Sequence, residues 1–320
     1  MKAFKKVIFF IIFEIIFCSI FGIYLVFYGP FTNIKEAFVT SAMTTMNHKY
    51  LASIFLNDKE IEKIMAKNQM GALNEKENEN DIRVNKKDNE MELIDINTNK
   101  FQGYLLKVDN PSRVKVGTSE NLGEGGMPLS KIVEKYRASG GINAGGFSDN
   151  KMTGNGGTPT GLIIEDHEIK YNEKLKKYPL VGFNDKNVLI IGDYTLNEIE
   201  KMNIRDAISF SPPLIINGKK MIKNGDGGWG IAPRTAIGQT KDGAVLMLVV
   251  DGRSKDSLGA TLKDLQDILY DYGAYNAVNL DGGSSATMNY CGKTVNKPSD
   301  ILGERAIPSA FIVKWGENYE

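Results

Sequence analysis

The sequence predicts a mixed α/β (α+β) domain, built on a central mixed β-sheet with flanking helices and preceded by one N-terminal transmembrane helix. An apolar run of membrane-spanning length stands near the N-terminus, and several short apolar runs bounded by glycine and proline follow it. In the second half of the chain, two such runs enclose a helical pattern. This order predicts a parallel strand-helix-strand unit within the sheet.

The composition is that of a globular protein. The 320 residues include 39 Lys and Arg and 39 Asp and Glu, so the net charge is zero, and 42% of the residues are hydrophobic. Because no basic patch is interleaved with aromatic residues, we expect no nucleic-acid partner. We divide the chain into a cytoplasmic stub and transmembrane anchor (1–30), a juxtamembrane helical stalk with a polar linker (31–90) and the main folded domain (91–320).

The apolar run covers residues 7–28 and follows Lys2, Lys5 and Lys6. At about 1.5 Å per residue it crosses the roughly 30 Å hydrocarbon core. The run is longer than the core of a cleavable signal peptide and lacks a small-residue cleavage site, which favours an uncleaved anchor. The preceding lysines place the N-terminus in the cytoplasm, so we expect the folded domain to be extracytoplasmic at the cell membrane.

Glu14 is the one acidic residue within this run. A charged acid at the centre of a span costs about 2.5 to 3.5 kcal/mol on insertion scales, which suggests a membrane partner at Glu14. A single tolerated polar residue is the alternative.

The segment between the anchor and the folded domain changes character along its length. Residues 31–70 carry a broken apolar stripe at helical spacing, for which we favour a spacer over a partner-binding helix. Residues 74–89 consist mainly of Asn, Glu, Lys and Asp, which predicts a solvated linker.

Within the folded domain, hydrophobic patterns and turn signals predict further elements. They give strands at 92–96, 101–108, 158–165, 188–191 and 210–218, and helices at 128–138 and 196–202. Residues 139–147 are a glycine cluster around Asn143. Residues 225–230 contain four glycines, too many for a regular element, which predicts a mobile loop.

Metal and disulfide signals are weak. Asn224 and Asp226 have oxygen atoms that suit calcium, but the EF-hand pattern is missing, so no metal site and no cofactor are assigned while calcium stays open. The two histidines lack metal-ligand spacing. Cys18 lies in the membrane run and Cys291 stands alone in the domain, so no internal disulfide is expected.

Two aspartates follow buried strands and precede glycines. The apolar strand at 244–250 runs into Asp251, and the strand at 276–280 runs into Asp281. Between them, a capping box at Thr261 and Asp264 begins a helix that Gly273 ends. Parallel strands joined in this way bring both carboxylates to one edge of the sheet, where α/β proteins bind ligands. A pair of ordinary Asp-Gly turns is the alternative.

Four segments carry a family resemblance: Gly-Ile-Asn-Ala-Gly-Gly-Phe at 141–147, Ala-Pro-Arg-Thr-Ala-Ile-Gly at 232–238, Val-Asp-Gly-Arg at 250–253 and Asn-Leu-Asp-Gly-Gly-Ser-Ser-Ala-Thr at 279–287. In order and spacing they resemble the phosphodiester glycosidase family across roughly residues 91–315. Many members have a third glycine where this chain has Ser284, which leaves Ser285 at the family's serine position. The pattern after Asp251 also varies among members.

The resemblance implies a hydrolase that cuts a sugar 1-phosphodiester on the sugar side. In that role Asp281 is the expected catalytic carboxylate, Asp251 is a second acid or an orienting group, and Arg234 holds the phosphate oxygens. The amides of Gly282 and Gly283 are expected to form an anion-binding nest. The expected substrate-binding residues are Asn143, Gly145, Phe147, Thr235, Arg253, Gly282, Gly283, Ser284 and Ser285.

Extracytoplasmic placement predicts a phosphosugar-containing polymer of the cell envelope or an exopolysaccharide as substrate, with an α-linked GlcNAc 1-phosphodiester as one candidate. Two other classes stay open. The same pocket could serve a non-catalytic surface glycan-binding module, or the chain could be a structural membrane subunit that acts through Glu14 and residues 31–70.

Overall fold

The computed structural model describes residues 2–44, 49–68, 78–84, 90–148 and 155–316. Contacts within the chain define two compact units. The first comprises residues 1–69 together with 224–230, and the second comprises 70–223 together with 231–320.

The first unit is helical. Its helices are α1 (Lys2–Tyr28), α2 (Thr32–Thr44), α3 (Tyr50–Phe55) and α4 (Asp58–Lys67). Within α1, the stretch Phe4–Tyr28 is long and apolar enough to cross a membrane, and its most apolar window has no buried residues. This helix fits either a single-pass anchor or a signal sequence.

The apolar stripe predicted for residues 31–70 forms a small core within this unit. Phe27, at the end of α1, stacks on Phe55 with ring centroids 4.3 Å apart, and Val39 and Ala52 are fully buried beside them. Asn57 begins α4 with a capping box. The apolar stripe therefore packs α2, α3 and α4 against the end of α1. A simple spacer would not need such a core.

Residues 224–230 belong to the same unit, and the prediction of a mobile loop is wrong. Thr40 Oγ1 donates to Asp226 Oδ2 (2.7 Å), and the Asp226 amide donates to Asn68 Oδ1 (3.1 Å). The second carboxylate oxygen of Asp226 accepts from the Gly228 amide at 2.7 Å. The Asp226 carboxylate, considered as a calcium ligand, thus binds α2 and the loop's own backbone, and the Asp226 amide binds Asn68 at the end of α4.

The second unit consists of four sheets with three α-helices among its described residues. The helices are α5 (Leu129–Lys135), α6 (Leu196–Lys201) and α7 (Leu262–Asp271). The seven-stranded sheet has the order β1 (Met91–Asn97), β2 (Gln102–Val108), β15 (Val245–Val250), β14 (Arg234–Thr240), β16 (Ala274–Asn279), β12 (Pro213–Ile216), β13 (Lys219–Lys220). One five-stranded sheet has the order β18 (Lys293–Thr294), β17 (Met288–Tyr290), β4 (Ala138–Asn143), β19 (Ser309–Lys314), β3 (Val114–Thr118). The other has the order β10 (Leu189–Tyr194), β9 (Tyr178–Asn184), β11 (Ile204–Ser209), β7 (Leu162–Glu165), β8 (Glu168–Asn172), and β5 (Phe147–Ser148) pairs with β6 (Thr158–Pro159).

The predicted mixed α/β class is confirmed, but the central sheet differs from the expectation in one respect. β15 and β16 run in the same direction, yet β14 lies between them and pairs antiparallel with both. All strand pairs in the described part of the chain are antiparallel, so the sheet is not mixed. The crossover through α7 therefore skips one strand.

The sheets share one apolar core. Met247 and Val278 of the seven-stranded sheet pack in the same cluster as Ile142 and Phe311 of the β4 sheet. Phe183 of the third sheet meets Phe311 edge to face, with ring centroids 6.2 Å apart. This core fixes the sheets relative to one another below the strand ends that carry the aspartates.

Part of the predicted solvated linker is packed on the second unit. In residues 78–84, Ile82 is buried, the Arg83 amide donates to the Lys241 carbonyl (2.8 Å), and Tyr275 Oη donates to Asp81 Oδ2 (2.6 Å). The linker prediction is wrong for these seven residues because one isoleucine and several polar contacts are enough to anchor them. Residues 74–77 and 85–89 lie outside the described residues.

The glycine cluster at 139–147 contains a buried strand that the sequence did not predict. β4 lies between β17 and β19, and a Cβ on Gly140 would stand 2.4 Å from the Asn289 carbonyl oxygen. The glycine is required because neighbouring backbone approaches too closely for any side chain.

We expect Gly140→Ala to lower the free energy of unfolding by roughly 2 to 3 kcal/mol, since backbone rather than a flexible side chain must move. Gly125→Ala is the matched control, because nothing lies within 4 Å of a Cβ there. Thermal and urea melts of the full-length protein in detergent compare the two. Equal stability of the variants would contradict the packing described for β4.

Candidate active site

The strand register brings three of the predicted residues to one edge of the seven-stranded sheet. Arg234, the first residue of β14, pairs with Val250 at the end of β15, and Ala236 pairs with Asn279 at the end of β16. The loops that begin with Asp251 and Asp281 therefore leave the same edge. Their strands are two interstrand spacings apart, or about 10 Å.

Asp281 lies where the chain passes from the seven-stranded sheet toward the β4 sheet. The Leu280 amide still donates to the Thr235 carbonyl (2.9 Å), whereas the Asp281 amide donates to the Ala144 carbonyl (3.1 Å). Its carboxylate accepts hydrogen bonds from the Ser285 side chain and the Gly282 amide. The aspartate is thus fixed at the junction of the two sheets.

Burial raises the pKa of the Asp281 carboxyl to about 6, against the lowering effects of the Ser285 hydrogen bond, the positive charge of Arg305 and the Gly282 amide. Desolvation of the charged form outweighs three stabilising contacts. A carboxyl with this pKa exchanges a proton close to neutral pH, as a catalytic acid or base must.

Asn143 holds this junction together. Its side chain is fully buried, its Nδ2 donates to the Asp281 carbonyl (2.6 Å), and its Oδ1 accepts from Thr235 Oγ1 (2.7 Å) and the Thr287 amide (3.1 Å). Asn143 and Thr235 were expected to touch substrate. Because both are buried and bonded to each other, the structure assigns them to positioning the Asp281 loop.

Asp251 is buried and bonded to a loop from the C-terminal part of the chain. Its Oδ1 accepts from Asn296 Nδ2 (2.9 Å) and the Lys297 amide (2.9 Å), and Oδ2 accepts from the same amide at 3.1 Å. Burial raises the pKa of Asp251, and these hydrogen bonds oppose the rise. Of the two roles left open for Asp251, this geometry favours the orienting group.

A cleft of about 210 Å³ opens beside Asp251. This is below the roughly 300 Å³ at which ligand pockets usually begin, so the cleft suits part of a substrate. Asp281 is not among its lining residues, and Arg253 connects the cleft to the Asp281 loop by donating from Nη1 to Ser284 Oγ (3.2 Å). The lining residues are Gln102, Asp251, Gly252, Arg253, Ser254, Asp256, Ser257, Lys297, Pro298 and Ser299.

Arg234 occupies a different position from the one expected of a phosphate ligand. It is buried, and its Nε donates to the Ala260 carbonyl at 3.2 Å, just before α7. Side chains alternate along a strand, so Arg234 points to the opposite face of β14 from Thr235, which contacts Asn143. The structure therefore places Arg234 as a buried arginine bonded to the backbone before α7.

Arg305 was missed by the sequence analysis. Its charge acts on Asp281, and its Cζ lies 5.0 Å from the ring centroid of the partly exposed Phe147. Phe147 was expected to bind substrate. In the structure its ring packs against the Arg305 guanidinium group. No motif marks this arginine, which stands in an irregular loop before β19.

The expected anion nest does not form. The Gly283 amide donates to the Pro233 carbonyl (2.8 Å), and the Gly282 amide is taken by the Asp281 carboxylate. A Cβ on Gly282 would stand 2.8 Å from the same Pro233 oxygen, so this glycine serves close packing. Gly145 is likewise buried, and its amide donates to Ser309 Oγ at 3.2 Å.

Ser284 and Ser285 differ in role. Ser285 is buried and bonded to Asp281, while the partly exposed Ser284 meets Arg253. Over residues 2–316, where the described ranges allow a search, no group of three or more His, Cys, Asp or Glu side chains could hold a metal ion. We assign no metal ligands.

Comparison with known proteins identifies the family. The family model for phosphodiester glycosidases matches residues 136–314, more than half of the chain and the part that contains Asn143, Asp251, Asp281 and Arg305. The chain belongs to the phosphodiester glycosidase family. Membership of this family supports a hydrolase that acts on phosphodiester glycosides.

Curated relatives match over short segments. An SPbeta prophage-derived uncharacterized protein of Bacillus subtilis is 38% identical over 86 residues, covering 27% of this chain and 13% of that protein. The bovine N-acetylglucosamine-1-phosphodiester α-N-acetylglucosaminidase is 39% identical over 70 residues, covering 22% of this chain and 13% of the enzyme. The chain thus spans about an eighth of the length of these relatives.

A solved structure supports the fold. The catalytic domain of the zebrafish N-acetylglucosamine-1-phosphodiester α-N-acetylglucosaminidase, auto-inhibited by its pro-peptide, superposes with a TM-score of 0.63 at 22% identity. The match covers 73% of this chain and 86% of that domain. A hypothetical protein from Synechocystis gives a TM-score of 0.54 at 17% identity, over 70% and 61% of the two chains.

Asn143→Leu should destabilise the protein by roughly 2 to 4 kcal/mol, because it leaves three buried polar partners unsatisfied. Asn289→Leu is a matched control in the adjacent strand β17. Asn289 is also fully buried, but neither side-chain polar atom has a hydrogen-bond partner among the described residues, so we expect little loss. Urea unfolding of both variants tests this contrast, and equal losses would argue against Asn143 as the anchor.

Proposed function

We propose that this protein hydrolyses a sugar 1-phosphodiester by cleaving the bond between the anomeric carbon and the phosphate oxygen. The observation that carries the proposal is the Asp281 carboxyl, with its pKa raised to about 6 by burial, next to the positive charge of Arg305. It lies inside the region that matches the phosphodiester glycosidase family.

Asp281 acts on water in this proposal. The ionised carboxylate takes a proton from a water molecule as the water oxygen bonds to the anomeric carbon. The electron pair of the carbon-oxygen bond leaves with the phosphate, which becomes a phosphomonoester dianion. Since a phosphomonoester leaves readily, the reaction needs less acid assistance than cleavage of an ordinary glycoside.

The remaining groups have supporting roles. Asn143 and Ser285 hold Asp281 by its carbonyl and its carboxylate, respectively. Asp251 holds the loop at 296–297 in place beside the cleft. The positive charge of Arg305, rather than that of the buried Arg234, meets the charge of the phosphodiester.

The site is placed outside the cell in this proposal. The apolar helix α1 acts as an uncleaved anchor, and the three lysines at its start favour a cytoplasmic N-terminus. The substrate is then a phosphosugar-containing glycan of the cell envelope or exopolysaccharide. The similarity to the bovine N-acetylglucosamine-1-phosphodiester α-N-acetylglucosaminidase supports an α-linked N-acetylglucosamine as the sugar to test first.

Asp281→Asn should abolish release of free sugar from an α-GlcNAc 1-phosphodiester while the wild-type protein releases sugar and phosphomonoester. Because the reaction needs the ionised carboxylate, wild-type kcat/KM should fall below about pH 6 as Asp281 becomes protonated. Steady-state kinetics across pH 4 to 9 measure both effects, with ~tenfold loss per pH unit on the acid side.

Asp271→Asn, an exposed acid at the end of α7, is the matched control and should retain full activity. Substrate recovered intact after tight binding to the wild-type protein would instead select a glycan-binding module. A fully active Asp281→Asn variant would refute the assignment of the carboxylate.

The Asp281→Asn substitution should also increase the stability of the folded protein above pH 6. The folded-state pKa of about 6 exceeds the usual 3.8, so the stability that this group contributes is present below pH 3.8 and is lost as the pH rises through 6. Asp281→Asn avoids that loss and should stabilise the protein at pH 7.5 by roughly 1 to 3 kcal/mol. Melts at pH 4 and 7.5 measure the difference, and a variant less stable at pH 7.5 would contradict the desolvation of Asp281.

Cys291 offers a test of the topology. It is exposed in the second unit, whereas Cys18 lies within α1. A membrane-impermeant maleimide should label the wild-type protein in intact cells and should not label Cys291→Ser. Labelling only after the cells are lysed would place the second unit in the cytoplasm and contradict the proposed orientation.

A further inference from the structure

Two arginine side chains from different loops stand next to the Asp281 loop. Arg253 follows β15, and its Nη1 donates to Ser284 Oγ at 3.2 Å. Arg305 precedes β19 and lies over the ring of Phe147, with its Cζ 5.0 Å from the centroid. Neither belongs to the regular part of a strand, so each is aimed by its loop.

Arg253 is held in a defined conformation. Its φ of 59° is in the left-handed region, which is unfavourable for a residue other than glycine, and its amide donates to the Leu258 carbonyl (3.2 Å). A Cβ on Gly283 would stand 3.2 Å from Arg253 Nη2. The second glycine of the Asp-Gly-Gly motif therefore makes room for a guanidinium group.

Arg305 is also held by its surroundings. Its neighbour Glu304 accepts hydrogen bonds from the Ser130 amide (2.9 Å) and from Thr294 Oγ1, which fixes the backbone before Arg305. The ring of Phe147 supports the flat face of the guanidinium. The contacts of Glu304 and the ring of Phe147 therefore together direct the Arg305 side chain.

The charges of the two arginines act on each other and on Asp281. The charge of Arg305 lowers the pKa of Asp281 and, after desolvation as the larger cause, also that of Arg253. Arg253 makes no salt bridge with any carboxylate in the described ranges, although it is exposed. The two like charges repel each other, and a bound anion would relieve this repulsion.

We propose that Arg253 and Arg305 form a phosphate-binding pair beside the Asp281 loop, where they hold the phosphodiester of the substrate and then the phosphomonoester product. The identity of the ligand rests on the proposed function, but the anion site is defined by the two guanidinium groups alone. Guanidinium groups suit phosphate because they offer several N–H donors in one plane.

This pair replaces Arg234 as the phosphate ligand and makes the site selective for charge. A neutral glycoside offers no counter-charge to the two guanidinium groups, so it should bind more weakly than a phosphodiester of the same sugar. The product phosphomonoester carries more negative charge than the diester at neutral pH. It should therefore compete with substrate, and inorganic phosphate should be a competitive inhibitor.

The test is calorimetric titration of inorganic phosphate into the full-length protein in detergent at pH 7.5. Hydrogen bonds between charged groups contribute enough that Arg253→Gln and Arg305→Gln should each weaken phosphate binding by about 10- to 100-fold. Arg137→Gln is the matched control, because Arg137 is an exposed arginine with a φ of 47° that lies outside the site. It should bind phosphate as the wild-type protein does.

Arg305→Lys and Arg253→Lys keep the positive charge. They serve as second variants in case a glutamine variant fails to fold. They should retain part of the affinity and should raise KM for a phosphodiester more than they lower kcat. Phosphate binding that is unchanged within twofold in both glutamine variants, or absent from the wild-type protein at millimolar phosphate, would overturn the pair.

The two proposals fail separately. If phosphate binds through both arginines but no sugar is released from any phosphodiester, the binding pair stands and the hydrolase proposal fails. If sugar is released while phosphate affinity does not depend on either arginine, the hydrolase proposal stands and the pair is refuted.

Discussion

The buried amide of Asn143 is the contact on which the arrangement of the site depends. It bonds to Thr235 in the seven-stranded sheet, to the Asp281 carbonyl in the loop that follows this sheet, and to the Thr287 amide, which leads into the β4 sheet. The amide thus links two sheets at the point where the Asp281 loop crosses between them. Three hydrogen bonds in a dry interior fix a loop whose glycines would otherwise allow many conformations.

This rigidity explains how Asp281 is kept with a raised pKa. Folding removes the carboxylate from water and offers it one hydroxyl, one amide and the field of one arginine, which do not fully offset the lost hydration. A flexible loop would let the carboxylate return to solvent. The stability that is lost in holding it is the usual cost of a reactive group at an active site. Asp251, in contrast, accepts three hydrogen bonds from residues 296–297. These bonds hold that loop beside the cleft.

Local patterns predicted much of this structure. Apolar runs and a capping box located β15, α7 and β16, and therefore the shared edge that carries Asp251 and Asp281. The pairing partners could not be predicted in this way, because the insertion of β14 between the two strands depends on contacts distant in sequence. The strand β4 was hidden because its glycines are selected by neighbouring backbone and not by a hydrophobic period.

The roles of the charged groups were harder to predict than their presence. The face of β14 that Arg234 occupies follows from strand register, which no local motif gives. The amides of Gly282 and Gly283 were assigned to an anion until the structure showed their protein acceptors. Arg305 reaches Asp281 only through folding, so a motif search confined to neighbours in sequence could not find it.

The central claim is that a charged carboxylate directs water to the anomeric carbon of a phosphodiester-linked sugar. Hydrolysis in water enriched in oxygen-18, followed by mass spectrometry of both products, tests this claim most directly. The heavy oxygen should appear at the anomeric position of the released sugar and be absent from the phosphomonoester. Heavy oxygen in the phosphate would show cleavage of the phosphorus-oxygen bond and would contradict the account.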